Sequence, residues 1–152
     1  MKPRPGRAGV APGWRIDRSP VHGRGLFATR RLPADRLLLT YKGRRTTWSA
    51  LRPRRDPGGH TMLFALPDET HVVDGDIALN PARFLNHCCT PNCIVLYRHG
   101  HLRILTMRRI ERGAELFIDY RLTHPAPRSL AARRQLRCRC GARGCRGTML
   151  DA

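Results

Sequence analysis

Hydrophobic residues in this chain come in short runs broken by glycine, proline or charge, and no run holds a helical period for long. That pattern predicts a succession of brief strands. Trp14 to Arg18 reads as a first strand, His22-Gly23-Arg24-Gly25 as a tight turn, and Leu26 to Thr29 and Leu37 to Tyr41 as further apolar stretches. Thr46 to Leu51 is expected to form a helical turn or two stopped by Pro53, with Arg52 to Gly59 a basic loop. Met62 to Leu66 and His71 to Val73 read as brief strands flanking the polar Pro67-Asp68-Glu69-Thr70. Asn80-Pro81 signals a helix start, since asparagine caps free amides and proline fits the first turn. That helix must be short, because Asn86 to Asn92 is rich in loop formers. Ile94 to Arg98 and His101 to Met107 predict a hairpin around His99-Gly100, and Glu115 to Asp119 a last core strand. Pro125 and Pro127 then open a linker, Ser129 to Leu136 predicts one short helix, and a cysteine-rich tail follows; there is no internal repeat.

Length and composition narrow this picture. At 152 residues the chain is one domain, or one with a small appendage. Its 14 glycines and 12 prolines argue against a helical bundle, and 41% hydrophobic residues suffice for a modest core. No apolar run approaches the roughly 18 to 20 residues that cross a bilayer, so no membrane partner is expected. Met1 to Trp14 is basic and Pro/Gly-rich and lacks the apolar middle of a secretory signal. A reducing compartment is therefore expected: cytoplasmic on the bacterial-looking composition, nuclear or chromatin-associated if the source is eukaryotic. The net charge is +18, and among the 29 basic residues only Lys2 and Lys42 are lysines. Arginine grips phosphates and carboxylates in a bidentate way, so contact with nucleic acid or an acidic protein is one reading. Simple solvated charge is the other, and the even dispersal along the chain favours it slightly.

In a reduced setting six cysteines are metal ligands or reactive thiols before they are disulfides. Cys138-Arg-Cys140-Gly-Ala-Arg-Gly-Cys145 gathers three thiols, with Gly141 and Gly144 letting the chain curl around a point. Thiolates suit a structural Zn²⁺, which takes four tetrahedral ligands. The fourth must come from elsewhere, and Cys88, Cys89 and Cys93 are the candidates. Such an ion would fix a segment too small to have its own core. A redox dithiol is the weaker alternative, since Cys-x-Cys makes a strained disulfide.

With these residues in view, the chain resembles the SET-domain protein lysine methyltransferases from about Trp14 to Gly147. Four separated motifs in the family's order carry the resemblance: His22-Gly23-Arg24-Gly25-Leu26-Phe27-Ala28, Arg83-Phe84-Leu85-Asn86-His87-Cys88-Cys89-Thr90-Pro91-Asn92, Gly113-Ala114-Glu115-Leu116-Phe117-Ile118-Asp119-Tyr120, and the Cys138 to Gly147 stretch, which resembles the post-SET tail. The resemblance implies a mainly β fold with short helices, β-clip-like, built of several small sheets. It also implies a pseudoknot in which the third motif threads under the loop of the second, a topology that general folding rules would have argued against. The implied organisation is a flexible basic arm over 1–13, a SET domain over 14–121, a linker with a short helix over 122–137 and a zinc-bound post-SET tail over 138–152.

The implied activity is methyl transfer from S-adenosylmethionine to the ε-amine of lysine in a protein substrate, histone-like or other. By resemblance, Tyr120 is catalytic. Gly23, Arg24, Gly25, Leu26, Arg83, Phe84, Asn86 and His87 hold the cofactor. Cys89, Cys138, Cys140 and Cys145 hold one structural zinc, which leaves Cys88 as a small buried residue and Cys93 as the start of a strand. Three departures bear on specificity. Ile118 stands where relatives carry Phe or Tyr at the position that tunes how many methyl groups fit. Met62 replaces a channel-lining tyrosine. The stretch Thr46 to Pro57 is short, and no cysteine-rich stretch stands before Trp14. Two other function classes are weighed against the enzyme: a SET-fold binding module whose arginines dock nucleic acid or an acidic protein, and a thiol redox protein using Cys88 and Cys89. A pure binder needs neither Tyr120 nor the Asn86-His87 pair.

Overall fold

A computed structural model describes residues 12–51, 62–123 and 127–151. The arm before Pro12, the basic loop Arg52 to Gly59 and Pro125 of the linker lie outside the described residues. Among the described residues ten strands form three small sheets, and one short α-helix stands near the C-terminus. β1 (Trp14–Arg18) and β2 (Arg24–Ala28) pair antiparallel around a turn with Gly23 at φ 49°, a conformation that favours glycine. β3 (Leu37–Tyr41) lies beside the later β9 (His101–Thr106), which also pairs with β8 (Cys93–Arg98). His99 and Gly100, both at positive φ, close that β8–β9 hairpin where the alternating pattern predicts it. β4 (Arg44–Thr47), β5 (Leu63–Ala65) and β6 (His71–Asp74) make the third sheet, in the order β4-β6-β5.

Arg24 and Gly25, expected within the turn, already belong to β2, paired with Arg18 and Asp17, and two helical expectations also need correcting. Thr46 and Thr47 finish β4, paired with Val72 and His71, and only Trp48–Ala50 turns as a single 3₁₀ turn. The β-branched threonines fit a strand better than a helix. Asn80 precedes a 3₁₀ turn, Pro81–Phe84, but does not cap it. Its side chain is fully buried, accepting from the Lys42 amide at 3.1 Å and donating to the Gly75 carbonyl at 2.9 Å. A buried amide is better satisfied by two distant backbone groups than by one local cap.

The centre of the fold is β10 (Glu115–Ile118), which pairs antiparallel with β2 and parallel with β7 (Asn86–His87). The loop after β7 straddles it. At that loop's far end the Asn92 side chain donates to the Glu115 carbonyl and accepts from the Phe117 amide, both at 2.8 Å. β10 is thus gripped between β7 and Asn92, as expected of a segment passed beneath the second motif's loop. Leu26, Leu32, Leu85, Ile104 and Leu116, all but inaccessible to water, form the heart of one core packed around it. α1 (Leu130–Gln135) is capped by Ser129, whose hydroxyl accepts from the Ala132 amide at 3.1 Å. Beyond it the tail returns to the body: Leu150 bridges Leu122 in parallel. Among the described residues no helix is long and apolar enough to cross a membrane.

Candidate active site and metal centre

The parallel pairing of β7 with β10 sets Asn86 opposite Phe117 and His87 opposite Ile118, so two distant motifs meet at one place. Asn86 is buried, and its amide nitrogen lies 3.0 Å from the His22 carbonyl, 3.1 Å from that of Arg24 and 2.8 Å from a Glu115 carboxylate oxygen. It therefore ties the turn before β2 to the central strand. Ser19 donates to the second Glu115 oxygen at 3.0 Å. Gly25 is needed here because a Cβ at this position would run into the Glu115 carboxylate. Gly25→Ala should destabilise the fold by about 1–3 kcal/mol, the usual cost of overpacking; urea unfolding measures it.

The His87 ring is buried and sits 5.3 Å from that of Tyr120. Its Nδ1 lies 3.1 Å from the Tyr120 amide, which can only donate, so Nδ1 accepts and the proton belongs on Nε2. Nε2 faces the Cys89 sulfur at 3.3 Å. Burial lowers the pKa of His87, the Asp119 carboxylate opposes this and Arg146 reinforces it, so the ring is held toward its neutral form. The Tyr120 hydroxyl donates to the Leu85 carbonyl at 2.7 Å. Burial, then the Glu115 carboxylate, raises the phenol's pKa, so it stays protonated.

Two cavities share Tyr120 in their walls. The first, about 490 Å³, is walled by Gly23, Arg24, Arg83, Phe84, Asn86 and His87 from the body, with Cys138 and Met149 among the tail residues that close it. The second, about 440 Å³, is mostly apolar, with Tyr41, Trp48, Phe64, Leu85 and Ile118 in its wall. Met62, Arg83 and Tyr120 belong to both. The Phe84 ring is stacked by the Arg24 guanidinium at 4.3 Å and faced by that of Arg83 at 5.4 Å. Six of the eight residues that the resemblance assigns to the cofactor thus share one wall. Gly25 and Leu26 stand a layer behind, Gly25 against Glu115 and Leu26 wholly within the core.

Cys89, Cys138, Cys140 and Cys145 bring their sulfurs within 4.8 Å of one another. A Zn²⁺ with Zn–S bonds near 2.3 Å would set sulfurs about 3.8 Å apart at the corners of a tetrahedron. Cys89 lies 3.6 Å from Cys138 and 4.0 Å from Cys145, so the donor set and its spacing fit. Backbone amides face the sulfurs, as thiolates require: Arg146 N to Cys89 at 3.4 Å, Cys140 N to Cys138 at 3.3 Å and Gly147 N to Cys145 at 3.4 Å. Burial works against the Cys140 thiolate, yet hydrogen bonds from the backbone at Cys89 and Ala142 and from the thiols of Cys138 and Cys145 outweigh it and bring its pKa to about 6. Of the three candidates for the fourth ligand, Cys89 is the one in the cluster. Cys88 instead pairs with the Thr90 backbone, and Cys93 opens β8 in the core, where burial pushes its thiol up to about 12.

Several residues at the site escaped the sequence reading. Asp119 and Arg146 form a bidentate ion pair at 2.8 and 2.9 Å. Burial works against the Asp119 carboxylate, but the Arg146 guanidinium outweighs it and holds the carboxyl below its usual range. Both lie inside the quoted motifs, and their neighbours' roles were the only signal available. Glu115 and Asn92 are likewise recognisable only through partners far away in sequence.

The sequence profile of the SET domain matches residues 23–121. The chain is 35% identical over 138 residues to histone-lysine N-methyltransferase trithorax of Drosophila melanogaster, covering 86% of this chain and 4% of that protein. It is 38% identical over 140 residues to histone-lysine N-methyltransferase 2B of Homo sapiens, covering 86% and 5%. It is 33% identical over 139 residues to the H3 lysine-4 specific histone-lysine N-methyltransferase of Candida albicans, covering 86% and 13%. The chain therefore spans a small part of the length of these relatives.

Proposed function

The chain belongs to the SET-domain family, and from that premise we propose that it transfers a methyl group from S-adenosylmethionine to the ε-amine of a lysine in a protein substrate. The observation that carries the reading is the pair of cavities sharing Tyr120, one lined by Arg24, Asn86 and His87 and closed by the cysteine tail, the other lined by Trp48, Phe64 and Ile118. When bound, S-adenosylmethionine supplies an electrophilic methyl on a cationic sulfonium; the wall of Gly23, Arg24, Arg83, Phe84, Asn86 and His87 would hold it.

The chain's own part is alignment. With its proton committed to the Leu85 carbonyl, the Tyr120 oxygen keeps lone pairs for weak CH···O contacts and for an incoming amine. The apolar wall of the second cavity sheds water and disfavours an ammonium, whose free pKa is about 10.4, so the lysine is selected as the neutral nucleophile. Holding both partners in line at about 3–3.5 Å replaces a bimolecular encounter by a near-attack geometry. Cys89, Cys138, Cys140 and Cys145 would hold a Zn²⁺ whose role is structural, keeping the tail against the first cavity.

Relatives named for histone lysines make a histone tail the first substrate to try, and favour a chromatin-associated setting over a cytoplasmic one. The unit 14–121 with its tail 138–152 is the working enzyme, and exposed arginines are available to an acidic protein or nucleic acid. Incubation of the zinc-loaded protein with labelled S-adenosylmethionine and histones tests the function. Label on lysine supports it; no transfer, with binding of acidic partners alone, replaces it by the docking-module reading. Ile118 lies in the second cavity beside Tyr120 and leaves more room than an aromatic ring. Ile118→Tyr should shift products toward monomethyl-lysine, read by mass spectrometry of the substrate.

A further inference from the structure

The cysteine tail touches the body at more places than a metal ion alone requires. Three of the four sulfurs belong to the tail itself, and Cys89 is the single ligand from the body. One ligand bond makes a pivot, not a fixed orientation. A wall of the first cavity nevertheless comes from the tail, with Cys138, Arg139 and Met149 in it, so the tail's angle decides the cavity's shape.

A second attachment stands off that pivot. Arg146, next to the ligand Cys145, sends its guanidinium to the carboxylate of Asp119, next to Tyr120. Nη2 meets Oδ1 at 2.8 Å and Nη1 meets Oδ2 at 2.9 Å. The Asp119 side chain is 12% exposed and that of Arg146 30%, so water screens this pair less than the other arginine–carboxylate pairs described. The same residue's amide donates to the Cys89 sulfur, so Arg146 holds both the body's metal ligand and the strand end. On the other side of Tyr120, Leu122 donates to the Met149 carbonyl at 2.9 Å and accepts from the Asp151 amide at 3.0 Å. The tail therefore brackets Tyr120, through Asp119 before it and Leu122 after it. Competing contacts to Asp119 are poorer: His87 Nδ1 lies 3.4 Å away but already accepts from the Tyr120 amide, and Arg121 Nε is 3.6 Å away on an exposed side chain.

We propose that Arg146 and Asp119 form a latch that sets the angle of the metal-held tail against the strand end bearing Tyr120, and that this latch completes the donor's cavity. They are positioning residues, and their effect on cofactor affinity rests on the methyl-transfer reading. The fork of a guanidinium matches both carboxylate oxygens, which a lysine ammonium cannot do.

The test uses the full zinc-loaded chain as wild type, Arg146→Gln, Asp119→Asn, the double variant and Arg146→Lys. Zinc content, hydrogen exchange at the Leu122 and Asp151 amides, and calorimetric affinity for S-adenosylhomocysteine are measured on each. Each single variant should keep one zinc, exchange those amides about tenfold faster and bind S-adenosylhomocysteine about tenfold more weakly, as for a lost charge-assisted pair. KM for S-adenosylmethionine should rise with kcat nearly unchanged, the double variant should be no worse than either single one, and Arg146→Lys should recover only part of the loss. Additive losses, zinc lost from Arg146→Gln, or exchange and affinity unchanged from wild type would overturn the latch. If the wild type binds no S-adenosylhomocysteine while both single variants still exchange faster with zinc retained, the latch holds the tail and the methyl-transfer reading is what fails.

Discussion

Tyr120→Phe is expected to fold as the parent does and to transfer methyl about a hundredfold more slowly, the scale of loss when a reacting group is misaligned. The phenol makes one hydrogen bond, to the Leu85 carbonyl, and its ring packs beside that of His87. Phenylalanine keeps the ring and gives up a bond worth about 1 kcal/mol of stability, leaving one carbonyl lone pair without its donor. Chemistry loses more, because Tyr120 lines both cavities and no other described hydroxyl-bearing residue does. The loss should fall on kcat, with cofactor affinity little changed, since the first cavity's remaining wall is intact. A variant with the parent's kcat would remove Tyr120 from the mechanism.

Cys140→Ser is expected to cost the protein its metal and its cofactor binding together. Three sulfurs would remain where a structural zinc needs four ligands, and such sites supply about 10–16 kcal/mol of apparent binding energy that acts as folding energy. Of the described tail residues only Cys138, Thr148 and Leu150 are buried, and the few contacts beyond the sulfurs do not hold the tail without the metal. With the metal gone, Cys138 and Met149 no longer have a fixed place in the wall of the first cavity. Metal analysis should fall from one zinc per chain to a small fraction, and calorimetry should show no S-adenosylhomocysteine binding at concentrations that saturate the parent. The body should still unfold cooperatively, because Leu26, Leu85, Ile104 and Leu116 pack without help from the tail. Retained zinc with retained affinity would assign the fourth ligand elsewhere.

The strands were legible from short-range patterning where punctuation is strong. The His99-Gly100 turn announces β8 and β9, and alternation along His101 to Thr106 gives the buried face of β9. What patterning could not supply was which segments meet. Asn86 carries no local sign that Glu115 will receive its amide, and Asn80 looks like a helix cap while serving backbone groups at Lys42 and Gly75. β7 is only two residues long and pairs in parallel with a strand far away, below anything a periodicity reveals. The site was legible for a different reason, because chemistry restricts residue types. Four sulfurs, a glycine turn and a terminal phenol are recognisable as motifs, and the resemblance supplied their roles. Asp119 and Arg146 stayed hidden because an ion pair can be made from many positions, and only the returned tail shows which two meet.

The central claim is that donor and amine approach Tyr120 from opposite cavities. A crystal structure of the zinc-loaded chain with S-adenosylhomocysteine and a lysine peptide tests it most directly. The account predicts the homocysteine sulfur in the cavity walled by Arg24, Asn86 and His87, the lysine nitrogen in the one walled by Trp48, Phe64 and Ile118, and the Tyr120 oxygen beside both. Ligand bound away from these walls, or both ligands in a single cavity with Tyr120 untouched, would contradict it.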